Sequence, residues 1–233
     1  MRPPRRAGRH SRATKETPMR PSRRVAVKRL PKRASYDAAV LHAILDEGLV
    51  CHVGFAVGRQ VYVIPMAYAR VGDRLLLHGS KKSRLMRALG AGRDVCVTVT
   101  LLDGLVLARS VFHHSMNYRS VCVFGRSRRV TGVKARSAAL EALVEHLVPG
   151  RGTEARGPNA RELAATELVE VLVEEASAKI RTGPPVDDED DLDLPVWAGV
   201  LPANVTWGPP IPALVNGPTT AAPAYVLEYR RGP

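Results

Sequence analysis

Thr98–Gly125 reads TVTLLDGLVLARSVFHHSMNYRSVCVFG. Two apolar, β-branched runs flank a short polar cluster, His113-His114-Ser115-Met116-Asn117-Tyr118-Arg119-Ser120. Asp103-Gly104 between apolar residues predicts a hairpin turn at that pair. An arginine beside hydroxyls and an amide, held between strands, suits an anion such as a phosphate. The alternative is a hairpin whose polar residues sit in a solvated bend. The adjacent His113 and His114 would point to opposite faces of a strand, so they cannot jointly chelate one metal.

The strand pattern continues on both sides of this block. Upstream, Leu49–Val57 and Gln60–Tyr68 read as strands around Gly58-Arg59, with Pro65 marking an edge or a bulge because it has no N–H for a ladder. Arg74–His78 follows the turn at Gly72-Asp73. Asp37 is placed to cap a helix with Val40, Leu41, Ile44 and Leu45 on one face, stopped at Gly48. Leu85, Met86 and Leu89 mark a second helix, ended by Gly90 and Gly92. Downstream, Val133–Leu147 carries Leu140, Leu143, Val144 and Leu147 on one stripe. Asn159 and Glu162 have capping-box spacing, and Leu168–Glu175 alternates like a strand. Residues 187–193 form an acidic loop, and prolines crowd the chain from Pro202. Six or seven strands with a few helices, lacking regular βα alternation, predict an α+β fold built on an antiparallel sheet or small barrel.

The formal charge of +13 over 233 residues suggests nucleic acid until it is located. Residues 1–33 hold 13 Lys+Arg and one acid, Glu16, hence +12. The other 200 residues hold 22 basic and 21 acidic side chains, hence +1. The high pI therefore belongs to a disordered basic arm, residues 1–33, and nucleic acid is expected only through that arm. A folded domain over 34–202 and a Pro-rich tail over 203–233 complete the expected organisation. Cys51, Cys96 and Cys122 lie in apolar runs without metal spacing. They read as core thiols of a reducing compartment, with no metal site. No apolar run is long enough to span a bilayer and no secretory signal opens the chain. A cytoplasmic location is expected.

Ser80-Lys81-Lys82-Ser83-Arg84 is a second anion-binding candidate, since it lies where a strand gives way to a helix. Its cations oppose the helix dipole, a penalty that a bound phosphate would offset. Lys179-Ile180-Arg181 puts two cations on one strand face, and Trp197 could stack on a planar ligand. No GxGxxG, P-loop, HExxH or GxSxG is present. Phosphate and aromatic contacts without an evident acid–base pair favour a cofactor-dependent protein.

Three blocks, VIPMAYARVGDRLLLHGSKKSRLMRAL, VCVTVTLLDGLVLARSVFHHSMNYRSVCVFG and SAKIRTGPPVDDEDDLDLPVWAGVLP, occur in this order between Arg24 and Pro202. Together they resemble the flavin-nucleotide-binding branch of the pyridoxamine 5'-phosphate oxidase-like superfamily. The resemblance implies a split β-barrel homodimer with FMN in clefts at the subunit interface, acting as an oxidoreductase on a small-molecule acceptor such as a nitro compound. It implies that Pro65 and Met66, beside Ile64, contact the flavin ring through backbone. His78, Gly79 and Ser80 would line the ribityl and phosphate end, and Ser83 and Arg84 would hold the phosphate. Thr98 would lie near the ring edge. Asn117, Tyr118, Arg119 and Ser120 would come from the second subunit's side or complete the pocket, and Lys179 and Trp197 would close it from the partner. His78 is the implied catalytic residue, by likeness to nitroimidazole-resistance proteins. The Arg-Lys pair of true pyridoxamine phosphate oxidases is replaced by Ser83-Arg84, so vitamin B6 oxidation is not implied. Alternative readings are a non-catalytic flavin-binding or storage protein, or a split barrel holding deazaflavin or haem, with His113 or His114 as the iron's axial ligand.

Overall fold

The Asp37 carboxylate accepts from the Val40 N–H at 3.1 Å, and the helix it caps is the plug of a barrel. The computed structural model describes residues 22–213 and 220–231. Its elements run β1 (Ala34–Ser35), α1 (Ala38–Glu47), β2 (Val50–Val57), β3 (Gln60–Val71), β4 (Arg74–Ser80), α2 (Arg84–Gly90), β5 (Asp94–Leu107), β6 (Ser115–Arg129), α3 (Val133–Leu147), α4 (Arg151–Glu154), α5 (Ala160–Ala165), β7 (Thr166–Leu172), β8 (Glu175–Arg181), β9 (Gly199–Pro202) and α6 (Ala224–Leu227). The strand order is β1-β8-β6-β7-β4-β3-β2-β5-β9, every pairing is antiparallel, and β5 also pairs with β6. That last pairing closes six strands, β6-β7-β4-β3-β2-β5, into a ring. The fold is α+β, a split β-barrel with flanking helices.

Alternation fills the ring. Val53, Val97, Val123 and Ala176 face one another across four strands and are buried, as are Val99 and Val121. Leu41, Ile44 and Leu45 of α1, and Leu85, Met86 and Leu89 of α2, join the same cluster. Burying side chains of this size contributes about 1.5–3 kcal/mol each. A second, smaller cluster of Ala69, Leu76 and Leu168 lies on the outside of the ring, under Ala139 and Leu143 of α3.

The split has a definite place. β3 pairs with β4 only through Tyr68–Val71, whereas its first half, Gln60–Ala67, pairs with β2 alone. The last residues of β4, His78–Ser80, pair with β7 alone. An open seam therefore runs between those two segments. Counted from the two-residue turn at Gly58-Arg59, Pro65 falls at a non-hydrogen-bonded pair with His52. Its nitrogen, which has no hydrogen, thus points into the seam, where no ladder bond is lost.

Three expectations change. Asp103-Gly104 is not a hairpin turn. β5 runs through it with an irregularity between Leu102 and Gly104, and the chain reverses later, at a 3-10 turn over Val111–His113. A side chain at Gly104 would put its Cβ 2.8 Å from the Leu201 carbonyl oxygen of β9, so the glycine serves strand approach rather than a turn. Cys51 is a core thiol, pushed up to about 12 by burial, but Cys96 and Cys122 are half-buried on the outer face. The ends of the chain also differ. Residues 1–21 of the expected arm lie outside the described residues. Of the rest, Val25 is buried, Arg24 lies over Phe124 at 5.0 Å, and the Val27 N–H donates to the Tyr36 hydroxyl at 2.9 Å. In the tail, Tyr229 donates its hydroxyl to the Leu147 carbonyl at 2.6 Å, stands 4.9 Å from Trp207, and Arg231 donates to the Glu47 and Asp46 carbonyls.

Candidate flavin site on the outer face

Residues opposite one another in an antiparallel sheet share a face. The register therefore sets Pro65, His52, Thr98, Cys122 and Ser177 in one lateral row across β3, β2, β5, β6 and β8. The next row holds Thr100, Ser120 and Lys179, and the next Leu102, Tyr118 and Arg181. These rows alternate with the buried valines of the ring, so they lie on its outside. By the same alternation His78 and Ser80 face outward from β4, across the seam from Pro65 and Ala67. Pro65, His78, Ser80, Thr98, Tyr118, Ser120 and Lys179, far apart in sequence, thus lie along one band that wraps the outside of the barrel.

The seam end of this band is the corner between β4 and α2. The Ser83 hydroxyl accepts from the Met86 N–H at 3.1 Å and so caps α2. The Ser80 hydroxyl accepts from the Lys82 N–H at 3.2 Å. The Arg84 guanidinium lies 4.9 Å over the Tyr62 ring, which ties the corner to β3 across the seam. Gly79 faces the interior, where a Cβ would stand 2.8 Å from Met86 Cγ. Met66 also faces inward, packed against the core, so only its backbone borders the seam. Among the described residues Lys81, Lys82, Arg84 and Lys179 enter no ion pair. Unpaired cations beside free backbone groups leave the band suited to a phosphorylated, planar ligand.

Burial lowers the pKa of the His78 imidazole below its ordinary value, and its buried Nδ1 has no hydrogen-bond partner. A ring held neutral is a weak proton source. Thr98 bridges two thiols, at 3.7 Å from Cys96 and 3.6 Å from Cys122. Hydrogen bonding within this Thr98–thiol group lowers the Cys122 pKa and raises that of Cys96.

Other residues stand apart from the band. Arg119 has the parity of Val121 and Val123 and turns to the plugged end of the barrel. Its guanidinium donates to both oxygens of Glu47, at the end of α1, and to Asp103 at 2.8–3.3 Å. Asn117 is buried and bonds Arg181 and the Gly183 carbonyl. Trp197 is 68% exposed just before β9, and three strands separate β9 from β4 in the sheet. Within one protomer it does not share the band with Ser80–Arg84. His52, Cys96 and Cys122 belong to the outer face without having been marked by the sequence. Pairing of His52 with Thr98 is a matter of register, which no local motif encodes.

The family model described as pyridoxamine 5'-phosphate oxidase matches residues 37–180. The flavocytochrome Anf3 of Azotobacter vinelandii is 40% identical, with a TM-score of 0.85, over 91% of this chain and 99% of its own. An FAD and haem binding protein of Mycobacterium smegmatis is 33% identical, with a TM-score of 0.81, over 85% of this chain and 98% of its own. A candidate 5-nitroimidazole antibiotic resistance protein of Bacteroides thetaiotaomicron, 20% identical over 63% of this chain and 86% of its own with a TM-score of 0.54, shares the fold. No curated protein matches the sequence. The chain belongs to the pyridoxamine 5'-phosphate oxidase-like split-barrel family. No helix among the described residues is long and apolar enough to cross a membrane.

Proposed function

We propose that this protein is a redox protein carrying both a flavin and a haem, with FAD rather than FMN as the flavin. The observation that carries the reading is 40% identity to a flavocytochrome across 99% of that protein's length. The FAD and haem binding protein of Mycobacterium smegmatis supports the same pair of cofactors. The residues present fit a flavin. The seam offers unpaired backbone on β3, Pro65 closes no ladder there, and Lys81, Lys82 and Arg84 supply positive charge at one end.

A bound flavin supplies two-electron chemistry and a haem one-electron chemistry. The chain's part is to bind and orient them. Ser80, Ser83 and Arg84 would hold the phosphate end, the backbone of Ile64-Pro65-Met66 would contact the ring, and Thr98 would lie near the ring edge. His78, neutral and half-buried, serves the site as a hydrogen-bonding group. The acceptor is a small molecule. Likeness to the nitroimidazole-resistance fold brings no particular acceptor with it.

Two copies complete the site in this reading. Val50, Val61 and Val63 point outward from the β2–β3 hairpin at 51%, 65% and 62% exposure, beside Pro65. An apolar patch bordering the band suits a second copy, whose Lys179 and Trp197 then close the pocket.

Cofactor analysis of the purified full chain tests the reading. Production with ample riboflavin and haem precursor is expected to give protein whose acid-released flavin is FAD and whose iron is haem. FMN as the sole released flavin would return the assignment to the simpler members of the family. A colourless protein that takes up neither cofactor would overturn it.

A further inference from the structure

The surface around α2 gathers charge that the chain's near-neutral total over residues 34–233 conceals. The helix packs Leu85, Met86 and Leu89 into the core and turns its other side outward. Lys81 and Lys82 precede it, Arg84 and Arg87 lie on it, and Arg93 follows it. From β6, Arg126 Nε donates to the Gly92 carbonyl at 2.6 Å, and a Cβ at Gly90 would stand 2.9 Å from Arg129 Nε. Ser127 between them holds the parts together. Its hydroxyl donates to the Leu89 carbonyl at 2.7 Å and accepts from the Arg93 N–H at 3.1 Å. All seven cations are exposed, and the acids beside them are Asp94 and Glu167. This surface therefore carries +5, and the rest of residues 34–233, which sum to +1, carries −4.

Some of these cations have local work. Arg126 meets a carbonyl just past the C-terminal end of α2, where positive charge is favoured, and Arg129 pairs with Glu167 at 3.5 Å. Lys81, Lys82 and Arg84 stand at the start of the helix, where a flavin phosphate is expected. Arg93 lies about 10 Å further on, past the other end. Arg87 and Arg93 enter no ion pair among the described residues. Like charges this crowded repel one another, and a docked acidic surface relieves that cost while its approach is steered by the field. The surface is poorly built for nucleic acid. Its nearby aromatic rings are covered, Tyr62 by Arg84 and Phe124 by Arg24, so no base can stack on them. A seven-residue helix packed into the core does not enter a groove. A protein seated here stands beside the phosphate end of the flavin band.

We infer that the surface around α2 is the docking site of an acidic electron-carrier protein, with Arg87 and Arg93 as the cations that serve the partner rather than the cofactor or the fold. The inference rests on the redox reading above.

Association of the full chain with an acidic plant-type [2Fe–2S] ferredoxin, followed by biolayer interferometry at low and at physiological ionic strength, tests it. Wild-type association should slow as salt is added. Arg87→Glu with Arg93→Glu is expected to slow it by at least about tenfold at low salt, with flavin content and melting temperature unchanged. Arg230→Glu, an exposed cation of the C-terminal segment, should leave it as it was. A wild-type chain that does not bind the ferredoxin, or a double variant that binds it as fast, overturns the inference and leaves the cofactor reading intact. Flavin lost from the double variant also overturns it, by assigning the two arginines to the cofactor. An equal loss of binding to a duplex DNA oligonucleotide overturns it in favour of a general polyanion surface. Ferredoxin binding with the expected response, by a chain that holds no cofactor, supports the docking site and overturns the redox reading alone.

Discussion

At the scale of the residue, Arg119 illustrates how a side chain's chemistry can be read correctly and its partners misjudged. An arginine inside a polar cluster suits an anion, and it does hold anions, namely the carboxylates of Glu47 and Asp103. Those partners are 72 and 16 residues away, and β-strand parity turns the guanidinium to the barrel's plugged end. Arg119→Met leaves two carboxylates, both mostly buried, without their counter-charge. A loss of about 2 kcal/mol in urea unfolding is expected, within the range for charged hydrogen bonds and broken ion pairs. Flavin content should be unchanged. Preserved stability with lost flavin would instead assign Arg119 to the cofactor. Ser83 shows the same ambiguity, because its hydroxyl caps α2 whether or not it also meets a phosphate.

At the scale of the element, the helices were legible because their signals are local. Asp37 caps α1 through Val40, and Asn159 and Glu162 form the full capping box of α5. The long ribbon was not. Asp103-Gly104 has turn chemistry, yet Asp103 is drawn to Arg119 and Gly104 lies against β9, so the strand runs on. Lost room at that glycine should therefore act on β9. Gly104→Ala is expected to destabilise the chain by about 1–3 kcal/mol, the usual cost of overpacking. It should also change the emission of Trp197, which precedes the displaced strand. An unchanged melting temperature and emission would mean that β9 yields without penalty.

For the whole molecule, the outer face of the β2–β3 hairpin is the proposed dimer contact. Val61→Asp with Val63→Asp puts two charges on the exposed side of β3 and disturbs no buried residue. Light scattering should report a monomer, and flavin should be lost with the partner's contribution. A variant that stays dimeric would move the contact to another face.

Hydrophobic alternation, turn residues and caps are short-range signals, and they determined the strands, the helices, the α+β class and the polar segments. Together with three ordered blocks they also pointed to the family. The tertiary structure alone decided the register. Register set Pro65, His52, Thr98 and Cys122 in one row, opened the seam between β3 and β4, and turned Arg119 away from its neighbours Tyr118 and Ser120. It also carried the chain past Asp103-Gly104 to a reversal at Val111–His113. Pairings between strands far apart in sequence are chosen by the packing of a shared core, and no window of local sequence contains that core.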